Sequence, residues 1–148
     1  MAEAVTQGSE VPSYCFVIPH YRHDVLLASL LPALLGTELP IIVVDDGSPA
    51  ESRNRLRILA DAHPSVSVLE RPENGGKGAA VMDGIRHAQR LGYTHVVQID
   101  ADGQHDLNDL PNFLHASHAC PDAIVSGQPI FGADAPLSRR WGRQLTNF

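Results

Sequence analysis

The feature that most constrains this chain is a regular alternation of two kinds of segment. Short apolar or β-branched runs recur at Tyr14–Ile18, Ile41–Val44, Val66–Leu69, His95–Ile99 and Ala123–Ser126, each bounded by Pro, Gly or Asp. Their length and composition predict strands. Between them lie Asp24–Leu35, Ala50–Ala62, Gly78–Leu91 and Asn108–Ser117. In these windows apolar residues such as Leu56, Leu59 and Ala60, or Val81, Ile85 and Ala88, repeat at helical spacing. Near-continuous apolar strands alternating with helices require crossover connections, hence a mostly parallel sheet covered on both faces. The predicted class is α/β. Pro32 should kink or split the first helix after Leu31, because proline removes a helix hydrogen bond and crowds the preceding turn.

In an open parallel sheet, ligands bind beyond the carboxyl ends of the strands. The residues there are Pro19-His20-Tyr21-Arg22, then Asp45-Asp46-Gly47-Ser48, then the loop Arg71–Gly78, then Asp100-Ala101-Asp102-Gly103-Gln104 with His105 and Asp106 behind it. Polar chemistry thus collects on one edge. Four carboxylates at two strand ends, Asp45, Asp46, Asp100 and Asp102, repel one another unless a cation or hydrogen-bond donors compensate them. A divalent ion is the economical answer: Mg²⁺ and Mn²⁺ take oxygen ligands and are commonly held by one or two carboxylates plus substrate phosphates. Asp100, Asp102 and the amide oxygen of Gln104 alternate along one segment and supply such ligands. Asp45–Ser48 alone reads equally well as a turn.

The loop Asn74–Gly78 opens a helix, where Gly76, its neighbouring amides and Lys77 could approach phosphate or a nucleobase. Taken alone it is also ordinary loop punctuation. Tyr21 either stacks on a base or packs on the sheet edge. His105 beside the carboxylates is a metal or phosphate contact or a turn residue, and His115 and His118 read as a solvated or packed pair.

A net charge of −6 argues against a nucleic-acid partner. The two cysteines offer neither a disulfide framework nor a zinc site, which makes a reducing cytoplasm the expected compartment. No apolar run approaches the ~18 residues of a membrane span. The chain's 148 residues suffice for one domain.

Four ordered motifs, Val17–Tyr21, Val43–Pro49, Glu73–Ala79 and Ile99–His105, together resemble family 2 glycosyltransferases, and the Asp-Ala-Asp-x-Gln form resembles the branch of polyprenyl- and dolichyl-phosphate mannosyltransferases. The resemblance spans about Tyr14 to Gly127. It implies a GT-A, Rossmann-like sheet and inverting transfer from a nucleoside-diphosphate-sugar donor, with a UDP or GDP carrier left open. It further implies that Pro19, Tyr21, Asp45 and Asp46 surround the base and ribose. Gly76 and Lys77 belong to the donor site, and Asp100, Asp102 and Gln104 handle ribose, divalent metal (Mg or Mn) and diphosphate, with Asp102 the expected direct ligand. A lipid-linked acceptor such as a polyprenyl phosphate is implied too, with peripheral association at the inner face of a membrane. One departure bears on both a mannosyl donor and a phosphate acceptor: where mannosyltransferases of the branch often carry an arginine after the fifth strand, this chain has Ser126-Gly127-Gln128-Pro129.

Three parts are expected: a loose N-terminal tail over 1–13, a nucleotide-sugar-binding domain over 14–136, and an amphipathic helix over 137–148. That helix would place Trp141, Leu145 and Phe148 on one face and lead into an acceptor half beyond Phe148, where the catalytic base is expected. The alternative is a module that binds donor without transferring it. Two rivals fit poorly: a haloacid-dehalogenase-type phosphatase needs Ser or Thr where Gln104 stands, and a phospho-receiver leaves the glycine loop unexplained.

Overall fold

The computed structural model describes residues 11–102 and 105–127. Residues up to Asn108 form one compact unit and those from Asp109 a second. The expected helix over 137–148, most of the 1–13 tail and Gln104 lie outside the described residues.

The first unit is a four-stranded parallel sheet with order β3-β2-β1-β4. Its elements are β1 (Tyr14–His20), α1 (Asp24–Leu35), β2 (Ile41–Asp45), α2 (Ala50–Ala62), β3 (Val66–Glu70), α3 (Lys77–Arg90) and β4 (His95–Gln98). Strands β1 and β2 are buried along nearly their whole length, which is why they read as unbroken apolar runs rather than alternating ones. Cys15, Val17, Ile42 and Val44 face Ala80 and Ala88 of α3. Phe16, Ile18, Ile41 and Val43 alternate with them and belong to the opposite face by the two-residue strand period. Burial pushes the Cys15 thiol up to about 11, leaving it an inert core residue.

Helix α3 carries the chain from β3 across to β4 and lies close on the sheet because Gly84 has no side chain. A Cβ there would stand 2.5 Å from Val17 Cγ1 and 2.8 Å from Val44 Cγ2. Pro32 does not split α1, which runs unbroken through it. The reason is its placement: Pro32 and Ala28, whose carbonyl loses its partner, are both exposed, while Leu27, Leu30, Leu31 and Leu34 hold the buried face.

A short 3-10 turn (Leu107–Asp109) spans the boundary, and the second unit contains α4 (Leu110–Ala119), which carries Pro111 in its first turn. The strand expected over Ala123–Ser126 does not form. Residues 124–127 have no regular structure, and Ile124 is 97% exposed. A β-branched run becomes a strand only with a ladder partner, and this segment has none among the described residues.

Candidate active site at the carboxyl edge of the sheet

From β1 the chain runs outward to β2 and β3 on one side, then crosses to β4 on the other. The switch point therefore lies between β1 and β4, where open α/β sheets bind ligands. Pro19 sharpens that crevice. Val17 accepts a hydrogen bond from Ile99 N on the β4 side, whereas His20 accepts one from Asp46 N on the β2 side. Alternation then points the Pro19 nitrogen toward β4, just where β4 has ended. A proline is tolerated in this central strand because the β1–β4 ladder ends at Val17 and Gln98, before it would call on the residue-19 N–H.

The β2 end is sealed. Asp45 is fully buried. Its Oδ2 accepts from Arg53 Nε at 3.1 Å and Ser48 N at 3.2 Å, and its Oδ1 lies 3.4 Å from His20 Nδ1. Asp46, 3% exposed, accepts from Gly75 N at 2.9 Å, Gly76 N at 2.8 Å and Arg71 Nη1. Arg71 also donates from Nε to Asp83 Oδ2 on α3 at 2.8 Å. The ion pair with Asp83 comes first among the influences holding the Arg71 guanidinium protonated above its ordinary range, and that with Asp46 adds to it. Hydrogen-bond donors, one of the two means of compensation expected for the four carboxylates, thus satisfy Asp45 and Asp46.

This arrangement gives Asp46 a clear structural task, which is to hold the glycine loop at the start of α3. Gly47, at φ 71°, brings the β2–α2 turn so close to that loop that a Cβ would stand 2.5 Å from Asn74 N. Gly76, at φ 85°, occupies the left-handed region that glycine favours. Its amide is turned inward to Asp46, whereas the Lys77 side chain that follows is outward, 59% exposed.

The β4 end is open. Asp100 Oδ2 accepts from Lys77 Nζ at 2.6 Å and its Oδ1 from Gln98 Nε2 at 2.7 Å. His105 Nε2 stands 3.7 Å from Oδ2. Partial burial pushes the Asp100 carboxyl up, but Lys77, Gln98 and His105 together outweigh it and hold the group below its ordinary range. Asp102 follows in the same turn, half-buried. Tyr21 is 37% exposed beyond β1, and the Arg22 guanidinium lies over its ring, 5.0 Å from the centroid.

Below the crevice His20 is enclosed between α1 and β2. Its Nε2 lies 3.1 Å from Asp24 Oδ1 but off the direction of a hydrogen bond, which leaves it the one buried side-chain polar atom without such a bond among the described residues. Ser52 and Arg55 of α2 also donate to Asp24. Sequence reasoning had assigned no role to His20, Arg53, Arg71 or Asp83. The available signal was that carboxylates following a fully apolar strand need a counter-charge, and Arg53 falls in the first turn of the helix after β2 while Arg71 directly follows β3.

The model of the family described as glycosyl transferase family 2 matches residues 15–148. The chain belongs to that family. It is 32% identical over 133 residues to an undecaprenyl-phosphate mannosyltransferase of Micrococcus luteus, covering 84% of this chain and 53% of that protein. It is 34% identical over 132 residues to a polyprenol monophosphomannose synthase of Mycolicibacterium smegmatis, covering 84% and 47%. Among solved structures it matches a mannosyltransferase from Pyrobaculum calidifontis in complex with GDP-Man and Mn²⁺, with TM-score 0.59, 26% identity, and 72% of this chain and 32% of that one covered. The sheet is thus the α/β, GT-A-like sheet of family 2 glycosyltransferases. The chain spans about half the length of the curated relatives it matches.

The open end suits a divalent ion held jointly with a ligand. Among the described residues no group of three His, Cys, Asp or Glu side chains could cage a metal alone. Asp100 and Asp102 instead offer the one or two carboxylates that Mg²⁺ and Mn²⁺ use when phosphates complete the shell.

Proposed function

We propose that this chain forms the nucleotide-sugar-binding part of a metal-dependent glycosyltransferase, which transfers a sugar with inversion from a nucleoside-diphosphate donor to a lipid-linked acceptor of the polyprenyl-phosphate class. The observation that carries the reading is the pairing of Asp100, at the β4 end of the switch-point crevice, with Lys77, which opens α3. An anionic group and a cationic group meet where a metal and a diphosphate would lie side by side.

In this reading Asp102, Asp100 and Gln104 hold Mg²⁺ or Mn²⁺, and Lys77 contacts the diphosphate. The ion supplies Lewis-acid stabilisation of the departing nucleoside diphosphate, where charge develops in the transition state. Tyr21 stacks on the base beside the gap that Pro19 leaves in the sheet. Asp45 and Asp46 serve the base and ribose side indirectly, by fixing the β2–α2 turn and the glycine loop, and Gly76 serves by its backbone shape. The relatives named for mannose transfer and the structure holding GDP-Man favour a mannosyl donor. Peripheral contact with a membrane bearing the acceptor follows from the same class; among the described residues no helix is long and apolar enough to cross one.

The test is calorimetric titration of GDP-mannose and a UDP-sugar in Mn²⁺, in Mg²⁺ and in EDTA. Donor affinity should require the metal and collapse in Asp102→Ala. Affinity that survives EDTA, or is unchanged in Asp102→Ala, would overturn the reading. Transfer itself is checked by turnover of the donor with a polyprenyl phosphate, using the full-length protein.

A further inference from the structure

We infer that Lys77 is a built-in competitor for the metal: without nucleotide its ammonium takes the Asp100 oxygen that a divalent ion would use, and an arriving diphosphate draws it away. The inference rests on the reading of Asp100 as a metal ligand given above.

The geometry makes the competition direct. Both Asp100 oxygens carry a donor, Lys77 Nζ at 2.6 Å on Oδ2 and Gln98 Nε2 at 2.7 Å on Oδ1. An ion coordinating Oδ2 would therefore sit against an ammonium on the same atom, and like charges at that range repel strongly. Gln98 is neutral and adds no such repulsion, so Lys77 is the group that must leave.

Only its side chain needs to move. The Lys77 backbone is the first residue of α3, its predecessor Gly76 is bound to the buried Asp46 at 2.8 Å, and Gly84 seats the helix against Val17 and Val44. The side chain is 59% exposed, so nothing packs it in place. Arg71, the other cation of the loop, is already shared between Asp46 and Asp83. Of these two cations of the loop, Lys77 is therefore the one that can change partners. A diphosphate offers it a stronger anion while supplying the metal with the phosphate oxygens the protein lacks.

Two consequences follow. Metal without nucleotide binds weakly, because it must evict Lys77 with no compensation. Metal and diphosphate strengthen each other, and by linkage the effect is the same in both directions.

The decisive measurement is the affinity for Mn²⁺ alone, read from the electron paramagnetic resonance of free Mn²⁺ in wild type, Lys77→Met, Lys77→Arg and Asp100→Asn. Circular dichroism checks that each variant folds. Lys77→Met should bind Mn²⁺ alone more tightly, by about fivefold or more. The same variant should bind GDP and UDP more weakly in the presence of Mn²⁺, and Lys77→Arg should stay near wild type in the Mn²⁺ arm. A gain in metal affinity from deleting a positive charge 59% exposed to solvent is not expected of a lysine that merely props up the fold. If Lys77→Met leaves Mn²⁺ affinity unchanged or lower while Asp100→Asn abolishes it, the competition is refuted and the metal reading stands. If Asp100→Asn binds Mn²⁺ as wild type does, Asp100 is no ligand and the competition is refuted, while the metal reading is decided by Asp102→Ala.

Discussion

The two ends of the sheet that carry aspartate pairs are built on opposite principles. At the β2 end Asp45 and Asp46 are 0% and 3% exposed and lie among arginines, a histidine and backbone amides. At the β4 end Asp100 retains a 28% exposed side chain, held by one flexible lysine and a glutamine. The same residue type thus acts in one place as scaffold and in the other as the group presented to a ligand. The difference lies in what each carboxylate would lose if its partners moved. A buried charge stripped of partners is costly, while a partly exposed one is rehydrated.

The sharpest way to break this comparison is to remove one carboxylate from each end. Asp46→Ala removes the buried carboxylate that holds the Gly75 and Gly76 amides and the Arg71 guanidinium, and should cost about 3–5 kcal/mol, the range for breaking a buried pair. Asp100→Ala should cost at most about 1 kcal/mol, as for an exposed pair. Urea denaturation curves of both variants measure the two values, and equal losses would show that the ends are not different in kind.

A second, smaller effect tests how the scaffold end reaches the glycine loop. Gly47→Ala forces a side chain onto the backbone of Asn74 and Glu73 at a left-handed φ. It should destabilise by roughly 1–3 kcal/mol, combining strain with overpacking. Because the displaced loop carries Lys77, nucleotide affinity should fall as well, although Gly47 itself is not expected to touch ligand. A stable variant with unchanged affinity would uncouple the β2 end from the β4 end.

The strand and helix order of the first unit was legible because each element carries its own period, and β1 and β2 are apolar throughout. The α1 and α2 boundaries read from the residues, Asp24–Leu35 and Ala50–Ala62, are those found. What failed depends on contacts at a distance. Pro32 is harmless because of the side of the helix on which it falls, and Ala123–Ser126 is no strand because it has no ladder partner among the described residues. The site was legible as a set of strand ends, since the chain order of the motifs places them on one edge. Its division of labour was not. The donors that satisfy Asp46 stand 25 to 30 residues away at Arg71, Gly75 and Gly76, and nothing local to Asp45-Asp46 says that they turn inward.

The smallest predicted effect uses pH and salt on an enclosed carboxylate, Asp24 at the start of α1, and an open one, Asp100. Burial pushes the Asp24 carboxyl up, but the Ser52 hydroxyl, the His20 imidazole and the Arg55 guanidinium outweigh it and hold the group below its ordinary range. Asp100 is lowered in the same net sense. For both, the folded state binds its proton less readily than the unfolded one. Each therefore contributes stability that is fully present above the unfolded value of about 4 and is lost as pH falls through the lower folded value. Denaturation midpoints should drop below about pH 4, and Asp24→Asn and Asp100→Asn should each flatten part of that slope. Salt separates them. The Asp24 side chain is 12% exposed and also holds a hydrogen bond from the neutral Ser52 hydroxyl, whereas Asp100 is 28% exposed beside a 59% exposed Lys77. Raising ionic strength should therefore shrink the part removed by Asp100→Asn more than the part removed by Asp24→Asn, because screening reaches exposed pairs first. Equal salt sensitivity of the two parts would mean that the enclosure of Asp24 between α1 and α2 is open to water in solution, and that the contrast between a sealed and an open edge stops short of α1.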